Sequence, residues 1–360
     1  MSEDLRSRPS LPRLGRPVRQ AVSVSEQGLV QMEPMNESGL PLVVRPALPG
    51  VSLGSWAEAN RDLISRQLSK HGGLLFRGFE IPRVEEFEKI VRSISGDLLE
   101  YKERSSPRHA VSGKVYTSTD YPPEHPIFLH NENSYQAAWP RRIFFYCSKA
   151  AAEGGATPIA DVRKVYQRVD PEVRDRFIAK RWMVVRNYGD GFGLPWQNVY
   201  QTSDKAEVEA HCLKNGIQFE WKDGDRLRTR AVRNAVAKHP DTGDLCWFNH
   251  ATFFHVSTLT PTIREALLTE FAEEDLPANT YYGDGSPIEP GVLDHLRSCY
   301  DAETVSFPWQ AGDLLMLDNM MAAHGRAPFK GERQVLVAMS HPTTWADVPP
   351  LVNPGAPGTP

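Results

Sequence analysis

The stretch "AGDLLMLDNMMAAHG", Ala311–Gly325, decides the fold together with "RQVLVAMSH", Arg333–His341. Both hold apolar runs of strand length. The other strand-rich segment, "IFFYCSKAAAEGGATPIADV" (Ile143–Val162), lies far upstream and reads as an aromatic strand, a Gly-Gly turn and a second short strand. Helical patterns dominate the long, mixed middle between them. "DPEVRDRFIAKR" offers Asp170 as a cap and Pro171 at the first helical position, and "AEVEAHCLKNG" and "PTIREALLTEFAEE" follow. Strands that must pair across such a middle favour an antiparallel barrel or jelly roll with an insertion over alternating βαβ units. The expected class is mainly β with helical insertions on a double-stranded β-helix (jelly roll) core. The helix-containing insertion is expected at about residues 163–300.

Further toward the N-terminus, "SWAEANRDLISRQLSKHGG" reads as one amphipathic helix, with Ser55 and Glu58 matching a capping box and Gly72-Gly73 as the stop. "LLFRGF" (Leu74–Phe79) follows as a short strand, and "VEEFEKIVRSI" places Val84, Phe87, Ile90, Val91 and Ile94 on one helical face. Residues 1–20, rich in Arg, Pro and Ser, and the Pro/Gly-rich residues 346–360 read as loose tails around a folded domain at 21–345.

Composition narrows the function classes. The chain of 360 residues is 40% hydrophobic and 24% charged, with net charge −4, an ordinary globular balance. It carries no basic footprint for nucleic acid and no polybasic membrane patch. Cys147, Cys212, Cys246 and Cys299 make no CxxC pair and are read as reduced. No apolar run reaches membrane-spanning length and no signal core opens the chain, so the expected compartment is the cytoplasm. Neither GxGxxG nor GxxxxGK occurs, which argues against nucleotide folds.

Within "FLHNENSYQ" (Phe128–Gln136), His130 precedes Glu132 by two residues. With 11 His and 45 acidic residues in the chain, such pairs also arise by chance, and His239-Pro240-Asp241 in "KHPDTGDLCW" is one, read as a turn. The His130 pair instead sits at an expected strand end, where side chains at i and i+2 point the same way and can meet one cation. A 2-His-1-carboxylate Fe(II) centre needs a third ligand. His324 is the best candidate, because Arg333 just beyond it can grip a dicarboxylate through a planar fork and Thr157, in "GGATP", can add a hydroxyl donor. His250 and His255 in "WFNHATFFH" are spaced for neither one helical face nor one strand face, and read as buried, hydrogen-bonded histidines. "YTSTDY" (Tyr116–Tyr121) is read either as substrate-pocket lining or as a polar loop.

In order along the chain, "GGLLFRGF", "LHNENSY", "GGATPIAD" and "DNMMAAHGRAPFKGERQVLVAM" resemble the taurine dioxygenase and clavaminate synthase superfamily of Fe(II)/2-oxoglutarate oxygenases, across roughly Leu74–Met339. "RNYGDGFGLPWQ", "FEWKDGDRLRTRAV" and "LCWFNHATFFH" look closer to the branch of syringomycin-type hydroxylases that tailors amino acids in peptide natural products. The resemblance implies iron on His130, Glu132 and His324, with 2-oxoglutarate on Arg333 and Thr157 and O2 as oxidant. It implies hydroxylation of an amino-acid-like small molecule, free or tethered to a carrier protein. Desaturation, cyclisation or epoxidation on the same centre, and a non-catalytic jelly-roll binding module, are the alternatives. Two features depart from the family pattern. The carboxylate is Glu where Asp is commoner, and the position of a second arginine, four after the first, is Val337, which makes Arg326 a rival anchor.

Overall fold

The computed structural model describes residues 28–100, 110–118, 121–189 and 193–351. The expected tail at 1–20 lies outside the described residues, as do residues 352–360 of the tail expected at 346–360 and Thr119 and Asp120 of the "YTSTDY" stretch, whereas Val348 and Leu351 in the described part of that C-terminal tail pack against a buried cluster. The fold is sheet-rich with helices. Its largest sheet has eight strands in the spatial order Val30–Pro34, Leu42–Pro46, Gly73–Phe76, Leu314–Asp318, Ala138–Lys149, Gln334–Thr344, Val115–Thr117 and Ala110–Ser112. The long-range pairing expected from the sequence is at its centre. Ala138–Lys149 lies antiparallel between Leu314–Asp318 and Gln334–Thr344.

A second sheet orders Thr304–Val305, Ile159–Asp161, Ala322–Arg326 and Ile127–His130. Ile159 and Ala322 from this sheet share a buried cluster with Ile143, Phe145, Leu315, Leu317, Val337 and Met339 of the large one. The alternation of strand side chains explains the layering. Leu314, Met316, Phe144 and Tyr146 face the other way, against Trp56, Leu68, Phe87 and Val91 of the N-terminal helices. Full burial of such side chains contributes about 1.5–3 kcal/mol each.

Two expectations need correction. The N-terminal helix is two helices, Leu53–Ala59 and Arg61–His71, and its cap is Ser52, whose Oγ accepts from Ser55 N, while the Ser55/Glu58 box is not the cap. Asn60 sits between them outside helical geometry (φ −122°, ψ 27°) and sends its side-chain amide back to Trp56 O. The second concerns the mixed, helix-containing middle, whose strands the sequence reading leaves unplaced. Besides helices such as Pro171–Lys180, Lys205–Lys214 and Pro261–Glu270, it folds an antiparallel sheet of Ile217–Lys222, Arg226–Arg233, Trp182–Tyr188 and Ala278–Tyr282, plus the hairpin Val236–Lys238/Leu245–Trp247. Among the described residues no helix is long and apolar enough to cross a membrane.

One glycine decides how closely the strands of the smaller sheet approach. A Cβ on Gly325 would stand 2.6 Å from Ile127 O, at the register irregularity between His324 and Arg326. Gly325→Ala must push Ile127–His130 away from its partner, so a loss on the order of 1–3 kcal/mol is expected, read as a lower urea midpoint at unchanged slope.

Candidate metal centre

Antiparallel register places His130 directly opposite His324, with Ile159 on the other flank of His324. Their rings approach to 4.5 Å between centroids. Glu132 joins them, its Oε2 standing 3.7 Å from His324 Nε2. One ligand atom from each of the three lies within 4.8 Å of the others. Glu132 and His324 are 2% and 4% exposed. A carboxylate so deeply buried between imidazoles calls for a cation.

The donor set fits a divalent metal. His130 Nδ1 donates to Phe128 O at 2.9 Å, which fixes the ring and leaves Nε2 unprotonated as a ligand. His324 Nδ1 is buried with no hydrogen-bond partner among the described residues. One point of the sequence reasoning is superseded: the strand ends at His130, and Glu132 sits in the following turn, where Asn133 takes a φ of 59°. The i, i+2 geometry of a strand therefore does not aim this carboxylate. Asn319, which sequence reasoning passed over, holds the turn through hydrogen bonds to Glu132 N and O.

His130, His324, Ser118, Thr157, Arg326 and Arg333 line one pocket, closed on its apolar side by Ile127, Phe145, Val335 and Val337. Arg333 Nε donates to Gly155 O at 2.8 Å, while its terminal nitrogens lie 3.4 Å from Ser118 Oγ and 3.3 Å from Thr157 Oγ1. Among the described residues no carboxylate pairs with it. Burial first, then the neighbouring Arg326, push this guanidinium down to about 10, so the pocket strongly favours an incoming anion. Arg326 is otherwise engaged. It donates to the carbonyls of Tyr121, Pro122 and His125 and so ties down the loop before the His130 strand.

The remaining candidates fall outside this group. His250 stands beside it, 5.5 Å from His130 between ring centroids, with Nδ1 2.6 Å from Ser134 Oγ. Burial, then the nearby His130, hold its imidazole well below the usual histidine range. Phe253 and Phe254 pack against it and complete an aromatic wall, Phe253 also meeting His130 at 4.6 Å. His255 caps a short helical turn by accepting from Ser257 N, and burial, then Arg297, push it down to about 4. His239 lies in the expected turn and is wholly buried, its Nε2 bonded to Asp318 Oδ2 at 3.1 Å. From "YTSTDY", Ser118 faces the pocket.

The chain is similar to known proteins along most of its length. Over 279 residues, 78% of the chain and 85% of the relative, the protein is 42% identical to the dapdiamide synthesis protein DdaC of Enterobacter agglomerans. It is 26% identical over 332 residues, 87% of the chain and 97% of the relative, to a clavaminate synthase-like protein of Arabidopsis thaliana. In fold it resembles PvcB, an Fe, alpha-ketoglutarate dependent oxygenase from an isonitrile synthetic pathway, with a TM-score of 0.51 and 16% identity over 88% of this chain and 93% of that one. The model of the taurine catabolism dioxygenase TauD, TfdA family matches residues 38–339, and the protein belongs to that family.

Proposed function

We propose that the protein is a non-haem Fe(II)/2-oxoglutarate-dependent dioxygenase that hydroxylates an amino acid or amino-acid derivative, free or carrier-tethered, in natural-product synthesis. The observation that carries the reading is that His130 and His324, whose ligand atoms lie within 4.8 Å of one another and of a Glu132 carboxylate oxygen, line the same pocket as a guanidinium with no carboxylate partner among the described residues. The likeness to a dapdiamide synthesis protein supports a place in natural-product synthesis. We read the two facing sheets as a double-stranded β-helix core within a catalytic domain at 21–345, and residues 163–300 as its insertion.

In this reading His130, Glu132 and His324 would hold the iron, a 2-His-1-carboxylate donor set suited to Fe(II). Bound iron and 2-oxoglutarate together supply O2 activation, with oxidative decarboxylation to succinate and CO2 coupled to oxygen insertion into the substrate. Arg333 binds the distal carboxylate, its Nε anchored on Gly155 O so that the terminal nitrogens point into the pocket. Ile127, Phe145, Val335 and Val337 keep that end dry. The wall of Phe253, Phe254 and Tyr135 beside His130 and His250 borders the substrate side.

Thr157 has a defined polarity. Its Oγ1 accepts from Trp309 Nε1 at 3.1 Å and faces Arg333 at 3.3 Å, so its own proton is left to donate into the pocket. Thr157→Ala is expected to raise the 2-oxoglutarate KM several-fold, as suits one neutral hydrogen bond of about 0.5–1.5 kcal/mol. Steady-state kinetics with varied 2-oxoglutarate checks it.

The test of the whole reading is substrate-stimulated succinate formation across free amino acids and carrier-bound aminoacyl groups, with product analysis to separate hydroxylation from desaturation, cyclisation or epoxidation. Anaerobic Fe(II) plus 2-oxoglutarate should also give a visible charge-transfer band. Absence of both the band and succinate would overturn the assignment in favour of a binding module.

A further inference from the structure

Glu132 lies in a buried turn, so something outside the strand ladder must aim it. The candidate is Asn319, wholly buried in the connection between Leu314–Asp318 of the large sheet and Ala322–Arg326 of the small one. Its Oδ1 accepts from Glu132 N at 2.7 Å, and its Nδ2 donates to Glu132 O at 2.9 Å and to Pro140 O at 2.8 Å. Asn131 returns the contact, its Nδ2 donating to Asn319 O at 2.7 Å. The clamp thus grips both peptide groups flanking the Cα of Glu132. That fixes the origin and direction of its side chain.

The choice of side chain follows from the polarity of what it meets. One N–H and two carbonyls need an acceptor and two donors at once, which a side-chain amide supplies and a carboxylate or hydroxyl does not. Buried backbone groups left without these partners would each cost on the order of a lost hydrogen bond.

Asn319 is itself held from behind. Its N–H donates to Arg141 O at 2.8 Å. Asp318 Oδ1 accepts from Met320 N at 3.0 Å, and Oδ2 accepts from His239 Nε2 at 3.1 Å with Arg141 Nε 3.7 Å away. His239 Nδ1 accepts from Asp241 N and Thr242 N, so its proton sits on Nε2, aimed at Asp318. The same turn leads within five residues to His324. One connection therefore carries His324 on its strand and the clamp on Glu132 in its bend, so it sets the spacing between them.

We propose that Asn319 is a positioning residue for the metal site, holding the Glu132 carboxylate at ligand distance from His324 through the backbone of Glu132. This rests on the metal reading given above. Outer partners of this kind typically change metal affinity by about 10–100-fold.

The experiment is a double-mutant cycle on anaerobic Fe(II) affinity of the full chain, measured by competition with a chelator. It uses wild type, Asn319→Ala, Glu132→Ala and the pair, with near-UV circular dichroism to establish folding. Asn319→Ala should weaken Fe(II) binding by about 10–100-fold, and the same change in the Glu132→Ala background should alter it by less than about twofold, the signature of one residue acting through the other. Asn319→Asp keeps the size and the acceptor but loses both donations, so it should also weaken Fe(II) binding, and it serves if the alanine variant does not fold. Wild-type affinity in Asn319→Asp, or equal weakening with and without Glu132, would overturn the positioning role. Unchanged affinity in Glu132→Ala would overturn the metal reading itself, and the inference with it.

Discussion

His324→Ala is expected to abolish turnover while the chain stays folded, and His130→Ala is expected to do the same. Each removes one of three donors packed within 4.8 Å of one another, so the loss in iron affinity should exceed the roughly 10–100-fold typical of outer-shell partners. The fold should tolerate the change. His324 Nδ1 makes no hydrogen bond among the described residues, and the register of Ala322–Arg326 against both neighbours is carried by backbone groups that alanine keeps. What is lost in packing is chiefly the contact with the rings of Phe145 and His130, at 4.9 and 4.5 Å. Iron content after anaerobic reconstitution and succinate formation should fall together while circular dichroism is preserved. Full activity in either variant with iron as the sole added metal would remove that histidine from the centre.

What the sequence made legible follows from range. Period-2 and period-3.6 patterns are local, and they located Ala138–Lys149, Leu314–Asp318, Gln334–Thr344 and the helix Val84–Ser95 through their apolar residues. The residues the fold gathers, His130, Glu132 and His324, were singled out by residue type and flank. The sheet in the middle of the chain was missed for a physical reason. "RLRTRAVR", Arg226–Arg233, is rich in arginine and is given no strand in the sequence reading, yet Arg228 and Arg233 are 5% and 8% exposed. Their burial depends on remote partners. Arg228 reaches Asn187 Oδ1 and Asp275 Oδ1, and Arg233 reaches Tyr135 O and Asn215 O. No window of sequence shows those contacts. Asn319 was passed over similarly, since an asparagine after an apolar run reads as turn chemistry, and its function as a clamp appears only when Glu132 is brought beside it. Arg326, the rival anchor, stayed open in sequence because Val337 stands at the family's second-arginine position; in the fold both arginines line the pocket, but the terminal nitrogens of Arg326 donate to backbone carbonyls while those of Arg333 face the hydroxyls of Ser118 and Thr157.

That difference sets the second large effect. Arg333→Ala should raise the 2-oxoglutarate KM by about 10–100-fold, the loss of a charge-assisted pair of roughly 1.5–3 kcal/mol, with a much smaller change in Fe(II) affinity. The geometry supports the split. The guanidinium is held by Gly155 O and lies beside Thr157 and Ser118, residues outside the group of three metal ligands. Its removal leaves the chelating end of the co-substrate able to reach iron, so kcat at saturating 2-oxoglutarate should fall less than kcat/KM. Arg333→Lys separates charge from shape. Lysine keeps the cation but loses the planar fork and the Nε bond to Gly155 O, so its KM should lie between wild type and alanine. Arg326→Ala is the control. Because Arg326 ties down the loop at Tyr121–His125, its loss should destabilise the chain and loosen the approach to His130, with kcat and KM changing together. A KM unchanged in Arg333→Ala but raised in Arg326→Ala would transfer the anchor to Arg326 and require its loop contacts to open when 2-oxoglutarate binds.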